Sequence, residues 1–389
     1  MFKLKKPSPK TPLVFLIAAF FLSNCIDPVA PEFEFDTGYI YVEGLASTIP
    51  RASLVTISES VIEFGVYGAS FVEGAMVTFI NTDTNEEVQL QEEIGVYVPP
   101  SDFVVAVGES WKLLILLENG ATYESTPETV LEPVEITQIE AEYDPKLIFK
   151  ETSGSVNKHI PGHSIAISFD DPAAADNYYL WSFRSFENLD ICEKCWAGTF
   201  REGECKDRIY LTGDPYFDYP CETNDCWKIR QPEAINIYDD EFCNGKTISN
   251  LEVAKLPLHT KENMVVEVQQ ISISPDAYEY YKVLKDLLEN TSSINAPPPA
   301  ALIGNMSNPS NSENFVFGRF TVAGTFAKSV YMKRSDIIEN QLETVYPLNL
   351  EDCQVCPGGC NDDCLPMQST PCAENRYRTA IIPSGWIEN

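Results

Sequence analysis

The chain has 389 residues, 44% of them hydrophobic, and carries 27 Lys and Arg against 58 Asp and Glu, a formal net charge of −31. That length exceeds one ordinary domain, and a body so acidic repels phosphates, which excludes nucleic acid as a partner. With 12 cysteines and only three histidines, the chain has sulfur for cross-links and little imidazole for metal or base chemistry.

The N-terminus reads as an export signal. Lys3, Lys5, Lys6 and Lys10 make a basic n-region and Leu13 to Leu22 an apolar core, followed by Leu22-Ser23-Asn24-Cys25, which is similar to a bacterial lipobox. The apolar run falls short of the roughly 20 residues that span a bilayer. An ordinary cleavage site needs small residues of the A-x-A kind, which Leu22-Ser23-Asn24 does not supply; an uncleaved anchor is the other alternative. We therefore expect 1–24 to be a lipoprotein signal peptide, Cys25 the lipidated residue, and 25–37, with Pro28 and Pro31 among acidic residues, an extended tether. Losing the four lysines makes the mature body more acidic still.

From Tyr39 the pattern turns to short β-type runs: 39–42, 54–57, 76–80, 87–90, 95–98 and 111–116, punctuated at Asn81 to Asn85, Pro99-Pro100 and Asn119-Gly120. About seven short strands in about 100 residues is the spacing of a sandwich, so 38–133 is expected to be an immunoglobulin-like β-sandwich without an inter-sheet disulfide. After the Pro127–Pro133 boundary, strands are predicted at 135–139, 164–169, 178–183 and 264–273, with closing strands at 315–320 and 329–332. One helix is expected over 275–290, with Ser274 as N-cap, Pro275 at the first helical position, Asp276 in the first turn, and Ala277, Tyr281, Leu284 and Leu288 on one face. The fold class read from this is mainly β: two β-sandwich domains, the second spanning 134–345 with a cysteine-rich insertion at 190–245, then a cysteine-rich tail over 346–389.

Beyond Cys25, six cysteines (Cys192, Cys195, Cys205, Cys221, Cys226, Cys243) fall in the insertion and five (Cys353, Cys356, Cys360, Cys364, Cys372) in the tail. In an exported chain all eleven are disulfide candidates. Six can pair internally in 15 ways, and five leave one over, either free or bridged to the insertion. The Cys353-x2-Cys356-x3-Cys360-x3-Cys364 spacing suggests a soft metal, but it departs from the ferredoxin pattern and exported thiols oxidise, so no metal or other cofactor is expected.

These residues resemble a known family. Val42-Glu43-Gly44, Gly74-Ala75-Met76-Val77, Gly95-Val96-Tyr97 and Tyr123-Glu124-Ser125-Thr126-Pro127 look like the first half of the Bacteroidota lipoproteins called domain of unknown function 4249. Asp171-Pro172 before Asn177-Tyr178-Tyr179, Ser272-Ile273-Ser274 before Tyr278 and Tyr281, Gly304-Asn305 and Phe317-Gly318-Arg319-Phe320 resemble its second half, and Cys353-Gln354-Val355-Cys356 with Pro383-Ser384-Gly385-Trp386 echoes its ending. Cys360, Cys364 and Cys372 depart from that pattern. The resemblance implies a surface lipoprotein accessory to an outer-membrane barrel of the TonB-dependent, SusC-like type, with no established enzymology.

The remaining constellations favour structure over chemistry. Asp83-x-Asn85-x-Glu87 alternates oxygen ligands but lacks an EF-hand's glycine and distal Glu, so a hairpin turn is expected; the acids Asp170, Asp171 and Asp176 are treated alike. His159, His163 and His259 are expected in solvated loops, and no catalytic elbow, P-loop or H-E-x-x-H occurs. The aromatics of the insertion, Trp196, Tyr216, Phe217, Tyr219 and Trp227, are partner-binding candidates if exposed and a small core under a stapled loop if buried. The expected role is a cell-surface, lipid-anchored outer-membrane lipoprotein serving a transport barrel or the barrel-assembly machinery. A surface hydrolase of glycan or peptide and a structural adhesion module are the alternatives.

Overall fold

The computed structural model describes residues 37–63, 66–150, 158–173, 175–188, 194–196, 198–201, 204–207, 215–217, 226–232, 234–290, 302, 304–310, 315–342, 372 and 374–387. In chain order the strands are β1 (Ile40–Ser47), β2 (Leu54–Glu63), β3 (Val66–Phe71), β4 (Met76–Asn81), β5 (Glu87–Gln89), β6 (Gln91–Glu93), β7 (Val96–Val98), β8 (Ser110–Leu116), β9 (Thr122–Ser125), β10 (Glu128–Thr129), β11 (Ile136–Lys150) and β12 (Lys158–Asp170). They continue with β13 (Tyr178–Asn188), β14 (Lys194–Trp196), β15 (Gly198–Arg201), β16 (Glu204–Asp207), β17 (Pro215–Phe217), β18 (Trp227–Arg230), β19 (Asn236–Asp239), β20 (Thr247–Pro257) and β21 (Met264–Ile273). Helix α1 (Pro275–Asn290) precedes β22 (Met306–Ser307), β23 (Val316–Met332) and β24 (Arg378–Thr379). The protein is mainly β, as its period-2 runs predict. The signal and lipidation site at Cys25 lie outside the described residues.

An 11-stranded sheet, β24-β18-β13-β21-β23-β1-β2-β7-β6 with β19 also on β13 and β3 also on β2, organises the body. A six-stranded sheet, β22-β9-β8-β4-β5 with β10 on β8, supplies Val77, Phe79, Leu113, Ile115 and Tyr123 to a first core, and the long sheet supplies Val42, Val55, Ile57 and Phe320. A three-stranded sheet, β11-β12-β20, supplies Ile136, Ile165, Ile167 and Leu256 to a second core, opposite Tyr179, Trp181, Val266 and Val268 of the long sheet. Alternation explains which residues face in: β1 buries Ile40, Val42 and Ala46 and leaves Glu43 open.

The strand that joins these halves was expected as two. β23 runs unbroken: Val316–Ala323 pairs in parallel with β1, and Gly324–Met332 pairs antiparallel with β21. Residues assigned by sequence to the second domain therefore fill the first core, where Phe320 stacks on Phe79 with ring centroids 5.2 Å apart. At the hand-over a Cβ on Gly324 would lie 2.0 Å from the Leu131 carbonyl oxygen, so only glycine lets the strand pass the connection between the halves. Beside it, buried Arg319 is ion-paired with Glu128.

α1 forms where its local chemistry predicts. The Ala277 N–H donates to the Ser274 hydroxyl (3.2 Å), a serine N-cap. Its buried side packs Ala277 and Tyr278 on Ile271, Ile273 and Ala323, and Tyr281 bonds Thr321 (3.1 Å). The expected face differs at both ends: Tyr278 and Tyr280 are buried and Leu288 is exposed. No described helix is long and apolar enough to cross a membrane.

Candidate functional site

The concave feature with chemistry in it lies at one end of the second core. A pocket of ≈ 840 Å3 opens between β13 and β18 of the long sheet and β20 of the three-stranded sheet. Its existence follows from a gradient along β13. The residues facing the second layer run Tyr179, Trp181, Phe183, Ser185, Glu187, aromatic at one end and small or charged at the other. Large rings fill the gap between layers beside Phe169, whereas Ser185 and Glu187 do not, and the space stays open.

β18 continues the polar end. It pairs with β13 so that Lys228 lies beside Glu187 and Arg230 beside Ser185, and all four line the pocket. Glu187 accepts from Arg230 Nε (3.1 Å) and from Arg334 Nη2 (2.7 Å), so one buried carboxylate serves two guanidinium groups. Arg334, wholly buried, also donates to the Glu262 carbonyl and to Thr260 Oγ1 (3.2 Å), and its Nη1 has no hydrogen-bond partner among the described residues. Burial first, and the charge of Arg334 second, push the His163 imidazole down to about 4. His163 is thus a neutral interior residue of β12, packed on Tyr143 at 5.2 Å between ring centroids. This corrects its expected place in a solvated loop: Pro161 and Gly162 break a helix but are accommodated in an extended strand. His159 also stands in β12, exposed, and half-buried His259 lines the pocket.

The tail supplies the next wall. Cys226, immediately before β18, is bonded to Cys372, 146 residues later, and β24 pairs Thr379 with Trp227 and Arg378 with Lys228. The Ile229 N–H donates to the Tyr377 carbonyl (2.8 Å), and Arg376 donates through Nε (3.0 Å) and Nη2 (2.8 Å) to Gln231 Oε1. Arg376 and Tyr377 thereby enter the pocket lining.

The cysteines and aromatics singled out by sequence divide accordingly. The Cys226–Cys372 bond takes the bridging course of the two left open for the odd tail cysteine. Cys243, expected among the bridged residues, is a free thiol in contact with the Tyr238 hydroxyl (3.0 Å); its turn follows β19 at the Tyr178 end of β13, whereas Cys226 precedes β18 at the Asn188 end. Cys192, Cys221, Cys353, Cys356, Cys360, Cys364 and Tyr219 lie outside the described residues. Strands β14, β15, β16 and β17 place the backbones of Cys195, Trp196, Cys205, Tyr216 and Phe217 in two small two-stranded sheets, β14-β17 and β15-β16. Trp227 is 2% exposed and packs edge-on to Trp386 at 5.7 Å, so it is part of a core and not of a partner surface. Its segment, read as an excursion from the sheet, is a strand of that sheet, between β13 and the edge strand β24.

The acidic turns are structural as well. Asp83 sits in the β4–β5 turn and accepts from the Ser110 N–H (2.8 Å), while Asp171 accepts from the Tyr179 hydroxyl (2.5 Å) and the Gly245 N–H (2.9 Å). No three His, Cys, Asp or Glu side chains converge to hold a metal among the described residues. Sequence reasoning missed the pocket, Arg334 and Arg376; the fading aromatic alternation along β13 was the available signal.

A family model described as Domain of unknown function (DUF4249) matches residues 26–329, a span that takes in β13, β18, β20 and the Arg230–Glu187 pair. The chain belongs to that family. No curated protein and no solved structure matches it. Arg334, Arg376 and the Cys372 end of the tail bond lie beyond the matched span.

Proposed function

We propose that this DUF4249 protein is a binding subunit, lipid-anchored through Cys25 at the outer-membrane surface, that holds a small ligand beside an outer-membrane β-barrel. The barrel is a TonB-dependent transporter of the SusC-like type or a component of the barrel-assembly machinery. The observation that carries the binding role is the ≈ 840 Å3 pocket, whose size suits a small molecule and whose tail-derived wall is held by the Cys226–Cys372 bond. The signal, the lipobox-like cysteine and the proline-containing tether support the address. An aqueous pocket on a tethered body adds local ligand concentration at a barrel mouth without needing turnover.

The test is purification of the tagged full chain from native membranes in mild detergent. Co-purification of a barrel at moderate salt, together with a mature N-terminus of acylated Cys25 by mass spectrometry, is the expected result. A bare N-terminal peptide, an intact leader, or a chain that leaves the membrane in salt alone overturns the proposal.

A further inference from the structure

The chain carries 58 acidic against 27 basic side chains, yet its pocket reverses that balance. Among the described residues, Lys228, Arg230, Lys255, Lys285 and Arg376 line it against Glu187 and Glu252. Both carboxylates are already engaged: Glu187 by Arg230 and buried Arg334, and Glu252 by Lys255 (3.3 Å) and the Ser164 hydroxyl (2.7 Å). Arg376 is held differently. Its Nε and Nη2 both go to one neutral amide oxygen, that of Gln231, and the carboxylate that feels its charge, Glu43, lies outside the pocket lining. It is presented at the opening by a segment that the disulfide and the β18–β24 pairing fix in place. Trp181, Phe183, Ile148 and Met264 give the pocket apolar walls.

Resting on the binding role above, we propose that the ligand is an organic anion: a carboxylate or phosphate head met by Arg376 with Lys228, Arg230 and Lys255 around it, and an apolar body laid against Trp181 and Phe183. A cleft lined by one sign of charge and walled by low-dielectric side chains concentrates the opposite charge, and a guanidinium fork matches carboxylate and phosphate oxygens two at a time. The acidic exterior repels anions at large, so capture depends on this local inversion.

The experiment is calorimetric titration of the full chain in nonionic detergent with three probes of one shape: 2-naphthoate, neutral 2-naphthylmethanol and cationic 2-naphthylmethylammonium. We expect 2-naphthoate to bind at least tenfold more tightly than the alcohol, and the ammonium weakest. Arg376→Gln should cost 2-naphthoate about tenfold and leave the alcohol unchanged; Lys255→Gln, at an exposed position that folding does not need, should cost about threefold. Displacement of 2-naphthoate by phenyl phosphate as well as by water-soluble dihexanoyl phosphatidic acid assigns the anion to free solutes, and displacement by the lipid alone assigns it to headgroups. Acid and alcohol binding equally, with both lost in Ala234→Trp at the pocket's rim, overturns the anion and leaves the binding role standing. No probe bound, or binding untouched by Ala234→Trp, overturns both.

Discussion

The two cores use the same long sheet and reach opposite ends. The first is sealed with rings and branched aliphatics: Phe79, Phe320, Leu113 and Ile115 fill it, and Gly44 lets Phe320 approach so closely that an added Cβ would sit 2.8 Å from its ring. The second begins in the same way, at Phe169, Tyr179 and Trp181, and then changes composition toward Ser185, Glu187, Arg230 and Arg334. Apolar rings close a gap between layers because nothing else satisfies them. Buried ions instead hold one another at fixed spacing and leave a cavity beside them. A pocket at this end of the second core therefore has the cost of a buried charge network.

Three substitutions break or sharpen that contrast. Phe320→Ala in the sealed core removes a fully buried ring that β23 contributes to the first core, and should lower stability by about 4 kcal/mol in urea unfolding. A loss under about 1 kcal/mol would mean the first core is not close-packed. In the second core, Glu187→Gln strands Arg230 and Arg334 without their anion and should cost about 3 kcal/mol. The half-exposed pair Lys112–Glu124 of the first half is the matched control, for which Lys112→Gln should cost no more than about 1 kcal/mol. Equal losses in the two would show that Glu187 is wetter than its burial indicates.

The smallest effect reads the same contrast through pH. His163 is neutral in the fold, with its imidazole held down to about 4, whereas an unfolded histidine titrates near 6.5. Between those values the unfolded chain binds the extra proton, so this residue makes stability rise with pH from about 4 to about 6.5, and makes it fall as acid is added through that window. His163→Asn should flatten the difference between stabilities measured at pH 4.5 and pH 7 relative to the parent chain. An unchanged difference would locate the acid sensitivity in the carboxylates alone.

Those outcomes depend on features of unequal legibility. The strands at 54–57, 76–80, 111–116 and 264–273 and the cap at Ser274 were readable because alternation and capping are set by residues a few positions apart. Trp227 was not: whether a ring in a cysteine-rich stretch is a docking surface or a core depends on Trp386, far away in the chain. His163 shows the same limit, since Pro161-Gly162 looks like a loop until β11 and β20 pair on either side of it. Family likeness covered four of the pocket's five cations but carried no information on ligand, because the family is itself described as a domain of unknown function.

By itself the sequence determined the β class, the single described helix and the acidic exterior, all of which follow from composition, short-range periodicity and turn chemistry. Only the tertiary structure decided that β23 serves both cores, that Cys226 finds Cys372, and that five cations from four separate segments face one cavity. Such pairings are set by which surfaces exclude water together across the whole chain, and no local pattern encodes that.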